Sequence, residues 1–316
     1  MKKIKTVLLL GMFFLLFLFL FLFYSPFPYF RDLFITTAMT TRSHQIFAKI
    51  FFDDKYILRV MHQNKVIEVD EVTDLDSIHI INRKTDSLFC KHKIYGRGYS
   101  GFLVEIFDPS RVHLVVSSKL GEEGETGIEV AKREKAFVVM NAVGFYDPDW
   151  SSNGALPHGT VIQDGKIISH YGTSNVGGGF AGFTKKGKLF LGKMSLDQVL
   201  KNGIMNAVEF GPFLIVNGKS SVVVGDGGWG VAPRSAIGQR KDGTVLFLVI
   251  NGRIPSSIGA SMKDLIAVME EYGAYNAVNM DGGASSSLIV NGKIVNRPVG
   301  GGENGLRKLP VFWVVK

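Results

Sequence analysis

Apolar and polar positions divide the chain into three stretches of different rhythm. Lys2, Lys3 and Lys5 precede an unbroken apolar run from Val7 to Phe23, VLLLGMFFLLFLFLFLF, about long enough to cross a hydrocarbon core as a helix. The run ends in Tyr24-Ser25-Pro26-Phe27-Pro28 rather than in the small-residue site of a cleaved secretory signal. The expectation is an uncleaved single-pass anchor over residues 1–24, with the lysines cytoplasmic and the remainder extracellular. From Ser43 to about Val66, Ile46, Phe47, Ile50, Phe51, Ile57, Leu58 and Met61 recur at a helical period, predicting one amphipathic helix. Residues 25–93 therefore read as a linker and accessory helical element.

From Ile94 the rhythm becomes short and turn-rich, and residues 94–316 read as the main domain. GFLVEIFDP and RVHLVVS, broken at Asp108-Pro109-Ser110, predict a hairpin or strand pair. Thr126 with Glu129, Ser195 with Gln198 and Ser261 with Asp264 each place a hydroxyl three residues before an acid or amide, announcing three helix starts. Between them VIQDGKII, FTKKGKLF, LIVNGKS, QRKDGTVLFLVI and LIVNGKIV set Gly-containing turns between apolar runs, as hairpins require. The fold class is α+β, a mixed and mainly antiparallel hairpin-rich sheet with a few packed helices, preceded by one N-terminal transmembrane helix.

Composition adds little to the fold and more to the setting. With 37 glycines against 10 prolines, tight turns outnumber what a disordered, proline-rich chain would show. The lone cysteine, Cys90, forms no intramolecular disulfide, so an exported domain must rest on its core. The net charge of +8 suits an anionic partner such as a wall polymer, a phospholipid headgroup or a phosphorylated sugar. Its basic residues are scattered without a basic and aromatic stripe, which disfavours nucleic acid.

Chemistry is concentrated in four loops: Asn141 to Asp149, the turn at Gly211-Pro212, the glycine-rich approach to Arg234, and NMDGGASSS from Asn279. Asp281 stands before a run of little bulk, Gly282, Gly283, Ala284, Ser285, Ser286 and Ser287. Such a loop lets a ligand approach both the carboxylate and the backbone, and its successive amides can form an anion-binding nest. Arg234 offers a planar donor fork for phosphate or carboxylate. The seven histidines show no paired-ligand spacing, so neither a metal centre nor a cofactor is expected. Asp147 and Asp149 around Pro148 make an incomplete site for a divalent cation, which leaves that one metal class open.

MNAVGFYDPD, GALPHGTVIQDGK, FGPFLIVNGK, APRSAIGQRKDGTVLFLVINGR and AVNMDGGASSSLIVNGKIVNRP, in that order, resemble the phosphodiester glycosidase family, including its bacterial members associated with exopolysaccharide. The likeness runs from about Tyr95 to Lys316. It implies hydrolysis of a sugar 1-phosphodiester, with Asn141, Arg234, Asp281 and the serines after it at the family's polar positions. Family members often carry Asp-Gly-Arg where this chain has Asn251-Gly252-Arg253, a departure that removes one carboxylate.

Together these readings predict a membrane-anchored extracellular glycosidase acting on a phosphorylated sugar in an envelope glycan. Asp281 would be nucleophile or general base, Arg234 would bind the phosphodiester and Asn141 a sugar hydroxyl, with Gly282, Gly283, Ser285, Ser286, Asn251 and Arg253 against substrate. A second carboxylate would come from Asp147, Asp149, Glu209 or Asp226. The competing readings are a non-catalytic protein that binds anionic exopolysaccharide or wall polymer during its assembly, and a transferase that passes the sugar or phosphate to an acceptor other than water.

Overall fold

A computed structural model describes residues 2–24, 28–41, 44–81, 87–147, 152–171 and 179–316. The chain forms two compact units, Met1–Lys65 with Val224–Gly230, and Val66–Val223 with Val231–Lys316.

The smaller unit is helical, with helices Lys2–Tyr24, Tyr29–Met39, Gln45–Phe51 and Asp54–Gln63 among its described residues. In the first, the Ile4–Phe21 window has a mean hydropathy of 2.6 and none of it is buried, so by length and composition it is a candidate membrane span. The single helix expected from Ser43 to Val66 is two helices. Asp53 takes an extended conformation and its side chain accepts the Tyr56 amide at 2.7 Å, an N-cap that ends one helix and starts the next. Ile35, Ala38, Ala48, Ile57 and Val60 form the unit's core. Asp226 belongs to this unit, where it accepts from the Thr36 hydroxyl and, at 2.8 Å, from the Gly228 amide.

Three sheets of five or more strands carry the larger unit among its described residues, beside a two-stranded ribbon of Lys65–Ile67 and Val222–Val224, and the paired neighbours in the three are antiparallel. The first runs Lys219–Ser220, Phe213–Val216, Asn276–Met280, Arg234–Gln239, Val245–Ile250, Tyr99–Ile106, Phe89–Gly96. The second runs Lys166–Tyr171, Gly159–Gln163, Ile204–Phe210, Gly179–Thr184, Leu189–Gly192. The third runs Lys293–Ile294, Leu288–Val290, Val138–Asn141, Val311–Val315, Val112–Val116. All three contribute to one core: Val104, Phe247 and Val278 from the first, Phe183 and Val208 from the second, Met140, Leu288 and Trp313 from the third.

Period-2 alternation explains how a strand serves two layers. Val311, Trp313 and Val315 face the shared core, while Phe312 and Val314 pack outward with Val130 and Ala131 of helix Gly127–Glu134. Helix Leu196–Lys201 covers the outer face of the second sheet through Val199, with Ile162, Phe180 and Ala207 beneath.

Local signals in the sequence are realised closely. All three predicted capping boxes are present, at Thr126, Ser195 and Ser261. The Asp164-Gly165, Asn217-Gly218 and Asn291-Gly292 pairs all have positive φ at both residues, the requirement of a type I′ turn. Two expectations differ. Strands Tyr99–Ile106 and Val112–Val116 do not pair with each other; they enter the first and third sheets, parted by a turn of 3₁₀ helix at Pro109–Arg111. The sheet unit also begins at Val66, ahead of Ile94, and its strand Phe89–Gly96, paired along its length with Tyr99–Ile106, already starts before Ile94.

Ser261 caps helix Met262–Glu271 by accepting the Asp264 amide at 3.3 Å, and Asp264 accepts the Ser261 amide at 2.8 Å. Ser261→Ala should therefore cost about 1 kcal/mol in urea unfolding, and an unchanged midpoint would contradict this role.

Candidate active site

The site forms where the first and third sheets end side by side. Ser235 pairs with Met280 in the first sheet, so Arg234, at one strand's start, stands beside Asp281, just past the other's end. Asn141 ends its strand in the third sheet and is fully buried. Its Nδ2 donates to the Asp281 carbonyl at 2.6 Å, and its Oδ1 accepts from the Ser235 hydroxyl at 2.8 Å and the Ser287 amide at 3.1 Å. The Asp281 amide completes the knot by donating to the Ala142 carbonyl at 2.9 Å. Asn141 thus positions the loop. The expected contact with a sugar hydroxyl gives way to this role, since the side chain is spent inside the protein.

Close approach explains the missing bulk after Asp281. A Cβ on Gly282 would lie 2.8 Å from the Pro233 carbonyl oxygen. Gly283 has φ of +60°, and a Cβ there would lie 3.3 Å from Nη2 of Arg253, so the Arg253 guanidinium sits over this glycine. The chain then turns through a 3₁₀ helix, Gly283–Ser285. The expected nest of amides is largely used up by this turn. The Gly283 amide donates to Pro233 at 2.8 Å, Ser285 to Gly282 at 3.1 Å and Ser286 to Gly283 at 3.3 Å, while the Gly282 amide bonds the Asp281 carboxyl. Positive potential here comes from arginine side chains instead.

Asp281 keeps some accessible surface, yet dense protein around its carboxyl pushes its pKa above the ordinary carboxylate range. The Ser285 hydroxyl, the charges of Arg307 and Arg234 and the Gly282 amide oppose that rise. Arg307 carries no signal in the sequence. Its guanidinium lies 4.4 Å from the Phe145 ring centroid and donates to Asp147 at 2.6 Å, and Asp147 also accepts the Ser152 amide at 2.9 Å. Arg234 is buried, with Nε donating to the Ala260 carbonyl at 3.1 Å.

Other expected residues lie elsewhere or serve the framework. Asn251 donates to the Ser100 hydroxyl at 3.3 Å and accepts the Arg297 amide at 2.7 Å, an acceptor role that an aspartate would fill equally. Ser286 is buried, and its hydroxyl has no partner among the described residues. Glu209 accepts the Thr160 amide at 3.1 Å and hydroxyl at 2.9 Å, on the strand face of Ala207, opposite that of Val208 and Phe210. Asp226 lies in the helical unit, and Asp149 falls outside the described residues. Among those residues no three His, Cys, Asp or Glu side chains group as a metal site needs.

Gly144 brings the backbone into close contact with the carboxyl. A Cβ on Gly144 would lie 3.8 Å from Cγ of Asp281 and from the Phe210 ring. The Gly144 carbonyl accepts the His158 amide at 2.9 Å. Tyr146 stacks on His158, with centroids 6.1 Å apart, and meets Tyr171 edge-on at 5.1 Å. This aromatic cluster, joined to Gly144 through His158, is signalled in the sequence only by the Gly144-Phe145-Tyr146 turn.

The family model for phosphodiester glycosidases matches residues 134–316, more than half of the chain and the whole of this site. The chain belongs to the phosphodiester glycosidase family. It is 26% identical over 266 residues to the SPbeta prophage-derived uncharacterized protein YomE of Bacillus subtilis, covering 81% of this chain and 38% of that one. It is 24% identical over 230 residues to N-acetylglucosamine-1-phosphodiester alpha-N-acetylglucosaminidase of Mus musculus, covering 64% and 42%. The chain thus spans about two fifths of the length of these relatives. Its fold is similar to the zebrafish N-acetylglucosamine-1-phosphodiester alpha-N-acetylglucosaminidase catalytic domain auto-inhibited by pro-peptide, with a TM-score of 0.61 at 19% identity, covering 78% and 87%.

Asn141→Ala would strand the Asp281 carbonyl, the Ser235 hydroxyl and the Ser287 amide. A loss of about 2–4 kcal/mol in chemical unfolding is expected; under 0.5 kcal/mol, the size of an ordinary surface change, would contradict the knot. Asp281 also links stability to pH. The folded state holds its proton to higher pH than the unfolded chain, whose carboxyl titrates near about 3.9. Stability from this group is therefore lost as pH rises from that value through the raised folded pKa. Asp281→Asn should gain more in Tm over wild type at neutral pH than in acid below about 3.9. An equal gain at both would show that the carboxyl is not raised.

Proposed function

We propose that this protein hydrolyses the bond between an anomeric carbon and phosphate in a sugar 1-phosphodiester. The observation that carries the reading is the placement of the Asp281 carboxyl, raised by burial, within the electrostatic reach of Arg234 and Arg307 and beside Gly283, over which the Arg253 guanidinium lies. Family membership and the names of the mouse and zebrafish relatives support the same substrate class.

In this reading the arginines hold the phosphodiester and stabilise charge that grows on its bridging oxygen. A carboxylate whose pKa burial raises is a stronger base when ionised, which suits a proton acceptor. Asp281 takes a proton from water as the water oxygen bonds to the anomeric carbon. The carbon–oxygen bond to phosphate breaks and its electron pair stays on the phosphate. Free sugar and a phosphate monoester leave, and Asp281 returns its proton to solvent. Phosphate is a good leaving group, so the scheme needs no carboxylic acid to protonate it. That fits the engagement of Asp147 by Arg307 and of Glu209 by Thr160. The Gly144 side of the carboxyl, with Tyr146 and His158 beyond it, would receive the sugar ring.

We further propose that helix Lys2–Tyr24 holds the protein in a membrane with the sheet unit outside. There a bacterial envelope glycan or exopolysaccharide would supply the phosphodiester. The apolar window Ile4–Phe21 and the preceding lysines support that orientation.

Full-length protein in detergent should release N-acetylglucosamine from its 1-phosphate methyl diester or from a related sugar 1-phosphodiester. Asp281→Asn should lower kcat by about 10²–10⁴-fold. Unchanged turnover in that variant would remove Asp281 from the mechanism. Binding of anionic glycan with no release from any diester would favour the assembly-protein reading.

A further inference from the structure

A pocket outside the Asp281 loop opens in the sheet unit, with a cavity volume of about 420 Å³, within the range of small-ligand sites. Its walls are the turn of the first hairpin, at Tyr95 and Tyr99, the loop after strand Val245–Ile250, at Asn251 and Ser256, and Arg297. The Tyr99 ring lies across Gly96, where a Cβ would come within 2.1 Å of it. Tyr95 is 75% exposed. The pocket therefore presents aromatic rings, hydroxyl and amide groups and one guanidinium. Its frame is fixed: Ser257 donates to the Asn251 carbonyl at 2.8 Å and accepts the Ser100 amide at 3.0 Å.

Two short covalent links join this pocket to the Asp281 loop. Asn251, in its wall, is two residues from Arg253, whose guanidinium lies over Gly283. Arg297, whose amide is bonded to Asn251 in the same wall, follows Asn296, whose side chain donates to the Ser286 carbonyl at 3.0 Å and accepts the Leu288 amide at 2.8 Å. The pocket wall thus stands two residues along the chain from the Arg253 guanidinium over Gly283, and one residue from the Asn296 side chain that holds the end of the Asp281 loop.

We propose that this pocket binds the next repeat of an anionic glycan built of sugar phosphates, with a tyrosine ring against the sugar and Arg297 on the second phosphate. The inference rests on the phosphodiester reading above and sharpens it. The preferred substrate is a chain of at least two sugar-phosphate units rather than a simple diester. Flat apolar rings beside polar groups suit a sugar, with its apolar face and hydroxyl rim, and a guanidinium fork suits phosphate.

The test uses full-length protein and two probes. One is the methyl diester of N-acetylglucosamine 1-phosphate. The other is its two-repeat oligomer, in which a second N-acetylglucosamine 1-phosphate replaces the methyl group. Wild type should show the lower KM for the oligomer, and Arg297→Gln or Tyr95→Ala should raise that KM about tenfold while leaving the methyl diester unchanged. Calorimetric binding of the oligomer to Asp281→Asn, with and without Arg297→Gln, provides a readout independent of turnover, and the added change should weaken Kd by a similar factor. Loss of oligomer binding on Arg297→Gln with neither probe cleaved by wild type would sink the hydrolytic reading and keep the pocket. Equal effects on both probes, or no effect of either substitution on oligomer KM and Kd, would overturn the pocket assignment.

Discussion

The site depends on one buried amide. Asn141 holds the Asp281 carbonyl with its nitrogen and the Ser235 hydroxyl and Ser287 amide with its oxygen, so a single side chain ties the third sheet to two strands of the first. Buried polar groups are costly unless satisfied, and here satisfaction requires the three segments to meet in one arrangement. The Asp281 loop is fixed at its start by Asn141 and Ala142 and at its turn by Pro233. Its carboxyl is held at a set place before any ligand arrives, as preorganised catalysis requires.

That placement puts a carboxylate where protein density disfavours its charge, with arginine charges that counter the penalty only in part. The balance is the site's electrostatic character. The Ser285 hydroxyl opposes the rise more than either arginine does, with Arg307 ahead of Arg234. Asp147 anchors Arg307 by accepting from its guanidinium at 2.6 Å. Gly282 and Gly283 allow Pro233, Arg234 and Arg253 to crowd the loop from its flanks.

Local chemistry was legible in the sequence and long-range assembly was not. The Ser261 and Asp264 pair, or Asn291 with Gly292, encodes its geometry within a few residues, and the structure follows each. The helix expected from Ser43 to Val66 was misread because an apolar period persists across Asp53, whose capping bond outweighs it. Asp281 and Arg234 stood out through their glycine-rich neighbours. Arg307 did not, since its tie to Asp147 spans 160 residues and its surroundings carry no turn signal or pattern. The knot at Asn141 was hidden for the same reason: a strand-ending asparagine looks like a turn residue until Ser235 and Ser287 are seen beside it.

The central claim is that bond cleavage occurs at the anomeric carbon, with Asp281 delivering water to it. Hydrolysis of N-acetylglucosamine 1-phosphate methyl diester in ¹⁸O-enriched water, followed by mass spectrometry of both products, tests this directly. The label should appear in the free sugar, and the methyl phosphate should carry none. Label in the phosphate product, with an unlabelled sugar, would place the attack at phosphorus and contradict the account.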